Sequence, residues 1–137
     1  MRILPVLAPL ALIACVPADP APVSGRAAFL DNCASCHGAD ARGGGPAAPG
    51  LSPAPADLTR IAQRNGGAFP RDRVMSVIDG YRRGSPVAAA MPIFGDGDLG
   101  RTIIVENPDG TGTPVPEVLL ALTDYLESIQ EPAIVTP

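Results

Sequence analysis

The feature that most constrains this chain is the pentapeptide Cys33-Ala34-Ser35-Cys36-His37. Two thiols three residues apart reach the two vinyl groups of one porphyrin, and the imidazole directly after them is carried beneath the ring to the iron. This is the C-x-x-C-H attachment pattern of a c-type haem. No other five-residue window in the chain has comparable chemistry. Three plainer readings of the same residues compete. A C-x-x-C pair serves as a redox dithiol when it follows a strand and opens a helix, and nothing before Cys33 has the pattern of that strand. A structural zinc site needs four protein ligands. The chain offers three Cys and one His, with Cys15 in an N-terminal apolar leader, so carboxylates would have to complete such a site. An ordinary disulfide leaves His37 without a role.

The residue inventory then narrows the far side of the iron. Protein ligands to haem iron are chiefly His, Met, Cys and Tyr. His37 is the only His, there is no Lys, and all ten basic residues are Arg. With Met1 as the initiator, a side chain closing the sixth position is expected from Met75 or Met91. Met75 stands beside Val74 and Ile78 in a helical pattern, where Met usually fills core space. Met91 lies in Ala88-Ala89-Ala90-Met91-Pro92-Ile93-Phe94-Gly95, a loop of small residues in which Pro92 fixes the backbone just after the sulfur. Met91 is the expected ligand.

Gly25-Arg-Ala-Ala-Phe29 running into Cys33-Ala-Ser-Cys-His37-Gly38, then Met91-Pro92, then a final helix containing Asp124-Tyr125-Leu126 resemble the class I monohaem c-type cytochromes over residues 24–131. The resemblance implies a small, loop-rich, all-α cytochrome c fold of about four short helices around one covalently bound haem c. It implies electron transfer through a His37/Met91 site between a redox protein donor and acceptor. It also implies that a Pro carbonyl past the motif accepts from the other nitrogen of His37 and orients the ring. Pro49, followed by Gly50-Leu51, fits that role best, with Pro46 after Gly43-Gly44-Gly45 as the rival. By the same resemblance the last helix crosses the first, with Phe29 and Tyr125 near the crossing.

The N-terminus reads as an export signal. Residues 1–14 carry Arg2 and then an apolar run from Ile3 to Ala14, too short to span a membrane. The run ends in Leu12-Ile13-Ala14-Cys15, which resembles the lipobox of bacterial lipoproteins, in which the Cys is acylated and becomes the new N-terminus. Residues 15–23 are then a lipidated Cys15 and a Pro-rich, semi-rigid tether. On this reading a lipid anchor holds the protein at the periplasmic face of a bacterial membrane. The alternative is cleavage after Val16-Pro17-Ala18, which discards Cys15 and releases a soluble periplasmic protein.

The remaining residues form one domain at most, 24–131, with a tail at 132–137. Gly 15 and Pro 17 predict short helices joined by long irregular connections. With three Phe, two Tyr and no Trp, the core is short of large side chains, and a buried porphyrin supplies the missing apolar area. The fold is therefore expected to depend on its cofactor. Ser24 is the expected N-cap of a first helix, and residues 38–56 a loop wrapping the cofactor. Asp57–Asn65 reads as a short helix stopped by Gly66-Gly67. Pro70 opens another, with Val74, Val77, Ile78 and Tyr81 on one stripe and Gly80 and Gly84 at its end. Residues 96–115 exceed what a minimal class I domain needs; their run Thr102–Val105 and turn signal Asn107–Gly110 predict a short extended segment over the cofactor edge or a neighbouring loop. Pro116 opens the last helix, striped by Val118, Leu119, Leu122, Tyr125, Leu126 and Ile129 and stopped by Pro132.

Net charge is −4, and −5 without Arg2, which argues against nucleic acid as a partner. The charge is unevenly spread. Residues 57–84 hold Arg60, Arg64, Arg71, Arg73, Arg82 and Arg83, whereas residues 96–131 are acidic around the single Arg101. Two readings stay open: two solvated faces of a small protein, or an Arg-rich rim that steers docking onto an acidic redox partner. Arg60 or Arg64 is also a candidate partner for a haem propionate. An electron carrier is the leading function. The alternatives are a fixed haem subunit of a larger oxidoreductase, and a haem enzyme or gas sensor with a displaceable sixth ligand; the latter wants a proton-handling distal group, and no second His exists.

Overall fold

The computed structural model describes residues 21–81, 91–107 and 109–132. Residues 1–20 with Cys15, residues 82–90 with Arg82, Arg83 and Gly84, Pro108 and residues 133–137 lie outside the described residues. The architecture is mostly helical and loop-rich, with five α-helices and one two-stranded sheet among the described residues.

Helix α1 runs Gly25–Asn32. Ser24 opens it as expected: its hydroxyl accepts from the Ala27 N–H at 3.2 Å, meeting one of the free donors of the first turn. Helix α2, Ala34–His37, is a single turn that contains the second Cys and the His of the motif. A long irregular stretch follows to Asp57, which caps a 3-10 turn at Leu58–Arg60 that runs into α3, Ile61–Arg64. Helix α4, Arg71–Asp79, starts after Pro70 and ends on Gly80 in the left-handed conformation. Helix α5, Glu117–Ser128, begins after Pro116.

The core lies where α5 meets α1 and α4. Phe29, Val74, Ile78, Leu119, Leu122 and Leu126 are all buried there. Each such side chain contributes about 1.5–3 kcal/mol by leaving water. The α1–α5 crossing is close because position 25 has no side chain: a Cβ on Gly25 would lie 1.9 Å from the Ala121 carbonyl oxygen. Phe29 and Tyr125 meet at this crossing, ring centroids 5.4 Å apart and tilted by 46°, as the resemblance implied. The α4 stripe is shorter than expected. Val74 and Ile78 are buried, but Tyr81 falls beyond the Gly80 cap and is 86% exposed.

The sheet is the one addition to an otherwise all-α fold. Strands β1, Thr102–Glu106, and β2, Gly112–Pro116, pair antiparallel with Ile103 opposite Val115 and Ile104 opposite Pro114. Val115 is buried and Val105 packs on the core, while Ile104 on the other face is 70% exposed. The hairpin base is clamped to α5. Arg101 donates to both Glu117 carboxylate oxygens at 2.8 and 2.7 Å, and the Glu117 N–H donates to the Arg101 carbonyl at 2.8 Å.

Among the described residues, two arginines of the Arg-rich segment pair with carboxylates of the acidic one. On α4, Arg71 reaches both Asp124 and Glu127 of α5, and Arg60 pairs with Glu131 at 3.2 Å. Glu131 also holds Arg42 at 2.5 Å. Among the described residues of the Arg-rich segment, Arg64 and Arg73 have no carboxylate partner and both line the central cavity.

Candidate haem site

A cavity of about 1070 Å³ opens between the helices, at the upper end of the size of small-molecule sites. One wall is the motif: Cys33, Cys36 and His37, with Phe29 behind them. Pro53–Ala56 of the long loop, then Leu58 and Ile61, form a second. Val74, Val77 and Ile78 of α4 and Leu122 and Leu126 of α5 line the interior, and Met91–Phe94 with Gly97–Gly100 complete it. Val77, partly exposed by area, is therefore exposed towards this space. Polar side chains in the lining are few: Asn32, Ser35, Arg64, Asn65, Arg73 and Asp98 beside the His and Cys of the motif.

The turn that carries the motif is fixed by backbone bonds on its outer side. The His37 N–H donates to the Cys33 carbonyl at 2.9 Å, and the loop beyond returns to cover α2, with Gly43 N donating to His37 O at 2.7 Å, Gly45 N to Cys36 O at 3.1 Å and Ala47 N to Ser35 O at 2.8 Å. These bonds correct one expectation. The carbonyl facing the His37 ring belongs to Ala56, with Nδ1 to oxygen 2.9 Å, and neither to Pro49 nor to Pro46. Residues 45–47 are tied to the backbone of α2, and the chain comes back along the cavity at Leu51 and then at Pro53–Ala56. Gly43 permits that return. At φ +89° it adopts a conformation that side chains disfavour, and a Cβ there would sit 2.3 Å from the Pro55 carbonyl oxygen.

A carbonyl can only accept, so the proton of His37 sits on Nδ1 and the lone pair on Nε2 is left for a metal. Both motif thiols are free. Burial, followed by the neighbouring Cys36, pushes the Cys33 thiol up to about 11, the opposite of the lowered value that makes a C-x-x-C pair a reactive dithiol. Nor is the zinc reading supported: among the described residues no three His, Cys, Asp or Glu side chains gather as a metal site.

The two candidate methionines separate cleanly. Both pack against the core, but Met91 lines the cavity whereas Met75 is absent from the lining. The two candidate arginines separate as well. Arg60 is taken by Glu131 and Asp57, while Arg64 lines the cavity and steadies itself on the Asp57 carbonyl through Nη2 at 2.7 Å.

The donor set and the space fit a c-type haem. The lining is apolar, two thiols and an imidazole with a free Nε2 stand on one wall, and a thioether and two guanidinium groups share the same space. An apolar hollow of this size left empty would cost the fold heavily, because its lining loses packing contacts with nothing opposite. Cys33, Cys36 and His37 are the residues that would hold the group.

No helix among the described residues is long and apolar enough to cross a membrane. No curated protein and no solved structure matches the chain. The family model described as Cytochrome c matches residues 23–101, more than half of the chain, and the match includes the motif, the returning loop, α4 and Met91. The apolar cradle, the preset imidazole and this match agree: the chain belongs to the cytochrome c family, whose haem c is bound covalently.

Proposed function

We propose that this protein is an electron carrier in which Cys33 and Cys36 form the thioethers to one haem c and the iron is held between His37 and Met91. The observation that carries this reading is that Met91, the expected sulfur ligand, lines the same cavity as Cys33, Cys36 and His37, while Met75 does not. When bound, the haem supplies a one-electron iron couple that changes charge without making or breaking bonds. The chain supplies the rest. The Ala56 carbonyl holds the His37 ring in one tautomer and orientation, the apolar lining of Val74, Ile78, Leu122 and Leu126 keeps water out, and a thioether from Met91 favours the reduced iron and raises the potential. Arg64, beside the cavity and without a carboxylate partner, is suited to a propionate, with Arg73 as its neighbour in the lining.

The domain plan follows from the sequence: a signal peptide at 1–14, lipidated Cys15 with its Pro-rich tether to residue 23, and a haem domain over 24–131. The tether holds the haem domain off the periplasmic face of a bacterial membrane, where it exchanges electrons with a protein donor and acceptor. An acylated Cys15 in the mass spectrum of the mature N-terminus supports the anchor; an unmodified N-terminus beyond Cys15 ends it.

Carbon monoxide tests the ligand assignment. The reduced wild-type protein is expected to keep its spectrum under the gas, because both axial positions are taken, and Met91→Ala is expected to bind it and to lower the potential. Ready binding by the wild type would favour an open-site enzyme or sensor instead.

A further inference from the structure

The carbonyl that orients His37 sits in a stretch without regular structure, so something outside it must keep it aimed. We propose that Gln130, just past the end of α5, is a positioning residue for His37: its side-chain amide locks the backbone that follows Ala56 and so holds the Ala56 carbonyl on Nδ1.

The contacts run from the C-terminus to the ring. The Gln130 Oε1 accepts from the Ala62 N–H at 2.9 Å, and its Nε2 donates to the Leu58 carbonyl at 2.8 Å and to the Leu126 carbonyl at 2.7 Å. One amide thus grips the start of the 3-10 turn that begins two residues after Ala56 and the first turn of α3 that follows it, and anchors itself on its own helix. The orientation is unique, because a flipped amide would set donor against donor and acceptor against acceptor. The neighbouring Glu131 N–H adds a bond to the Thr59 carbonyl at 2.8 Å, and Leu58 N donates to Ala41 O at 2.7 Å on the other side. Gln130 is only partly exposed and lies 74 positions from Ala56 in sequence, outside the residues matched by the family model. Gln130 does not itself line the cavity; it touches only the backbone carbonyls of the lining residues Leu58 and Leu126.

The inference rests on His37 being the iron ligand. A hydrogen bond donated by Nδ1–H to a carbonyl makes an imidazole a stronger donor to its metal and steadies the higher oxidation state. Releasing Gln130 should loosen that bond and shift the midpoint potential upwards. The test uses the haem-loaded full chain and two variants, Gln130→Ala and Gln130→Met; the second keeps side-chain length and reports even where the first does not accumulate. The readouts are the potential and the solvent exchange of the His37 Nδ1 proton followed by NMR. Both variants are expected to exchange this proton about tenfold faster, the scale of one lost hydrogen bond, and to show a raised potential. Gln63→Ala removes a different tie to the C-terminus, the Gln63 Nε2 bond to the Pro132 carbonyl at 3.0 Å, and should leave both readouts at wild-type values. Gln130 variants with wild-type exchange and potential, whatever their thermal stability, would overturn the proposal by showing a purely structural clasp. A wild-type protein that carries no haem would instead overturn the ligand assignment beneath it.

Discussion

The two walls that flank the cavity are built differently. On the His37 side the backbone is bonded at nearly every step: α2 closes on Cys33, residues 43–47 fold back onto it, Ala56 meets the ring, and Gln130 and Glu131 hold the chain that follows. On the Met91 side, packing contacts are prominent among the described residues. Ile93 rests on Gly80, Gly95 lies over the Asp79 side chain, and the Arg101–Glu117 pair clamps the chain beyond. The imidazole is therefore preset by backbone hydrogen bonds, whereas Met91 meets the cavity beside residues seated by packing. The difference teaches that the orientation of His37 is written into the backbone, while on the proposed ligand assignment the Met91 sulfur completes the site from the opposite wall.

The largest expected effect breaks the preset wall. The double variant Cys33→Ser, Cys36→Ser removes the covalent links, and the cavity of about 1070 Å³ loses the group that fills it. Circular dichroism should show most helix signal lost, because the remaining core is small. Next comes the shared interior. Leu122 is fully buried and lines the cavity, so Leu122→Ala should cost about 2–5 kcal/mol in denaturant unfolding of the holoprotein. Met91→Ala tests the other wall. The haem is expected to remain attached with a lowered potential if the proposed Met91 ligation holds, and an unchanged potential would count against it.

How much of this was legible in the sequence follows the same division. The motif, the Ser24 cap and the helix starts after Pro70 and Pro116 rest on side-chain chemistry that a sequence displays. The role of Ala56 was not legible, since it is played by a carbonyl that every residue has; only the folded chain shows that this carbonyl, and not that of Pro49, faces the His37 ring. The hairpin was read as a single extended segment because its second strand, Gly112–Pro116, contains Pro114 and Pro116, residues that suit only an edge strand. In a sheet of two strands every strand is an edge, so the prolines are tolerated. The ion pairs of Arg60 and Arg71 were not legible, because their partners Asp124, Glu127 and Glu131 are more than fifty residues away along the chain.

Smaller effects sharpen the contrast. The clasp near Ala56 should be acid-sensitive. The Thr59 hydroxyl holds the Asp57 carboxyl below its usual range, and Arg42 does the same for Glu131. Groups with lowered folded-state values stabilise the fold above their ordinary values and lose that contribution as pH falls through the lowered ones. The melting temperature of the holoprotein should therefore be flat above about pH 5 and fall below roughly pH 4, and Asp57→Asn should blunt that fall. Arg101→Ala, at an exposed pair, should shift the melting temperature only slightly and leave the haem in place. The smallest effect concerns the rim: if Arg64 and Arg73 guide an acidic partner, raising ionic strength slows electron exchange with it, and an unchanged rate would assign these residues to the cofactor alone.

The most direct measurement of the central claim is X-ray absorption at the iron edge of the full chain matured in an exporting bacterial host. A haem held between His37 and Met91 predicts one sulfur neighbour at the iron beside its nitrogen neighbours, and loss of that sulfur in Met91→Ala. A chain without iron, or an iron bound only by nitrogen and oxygen in the wild type, would contradict the account.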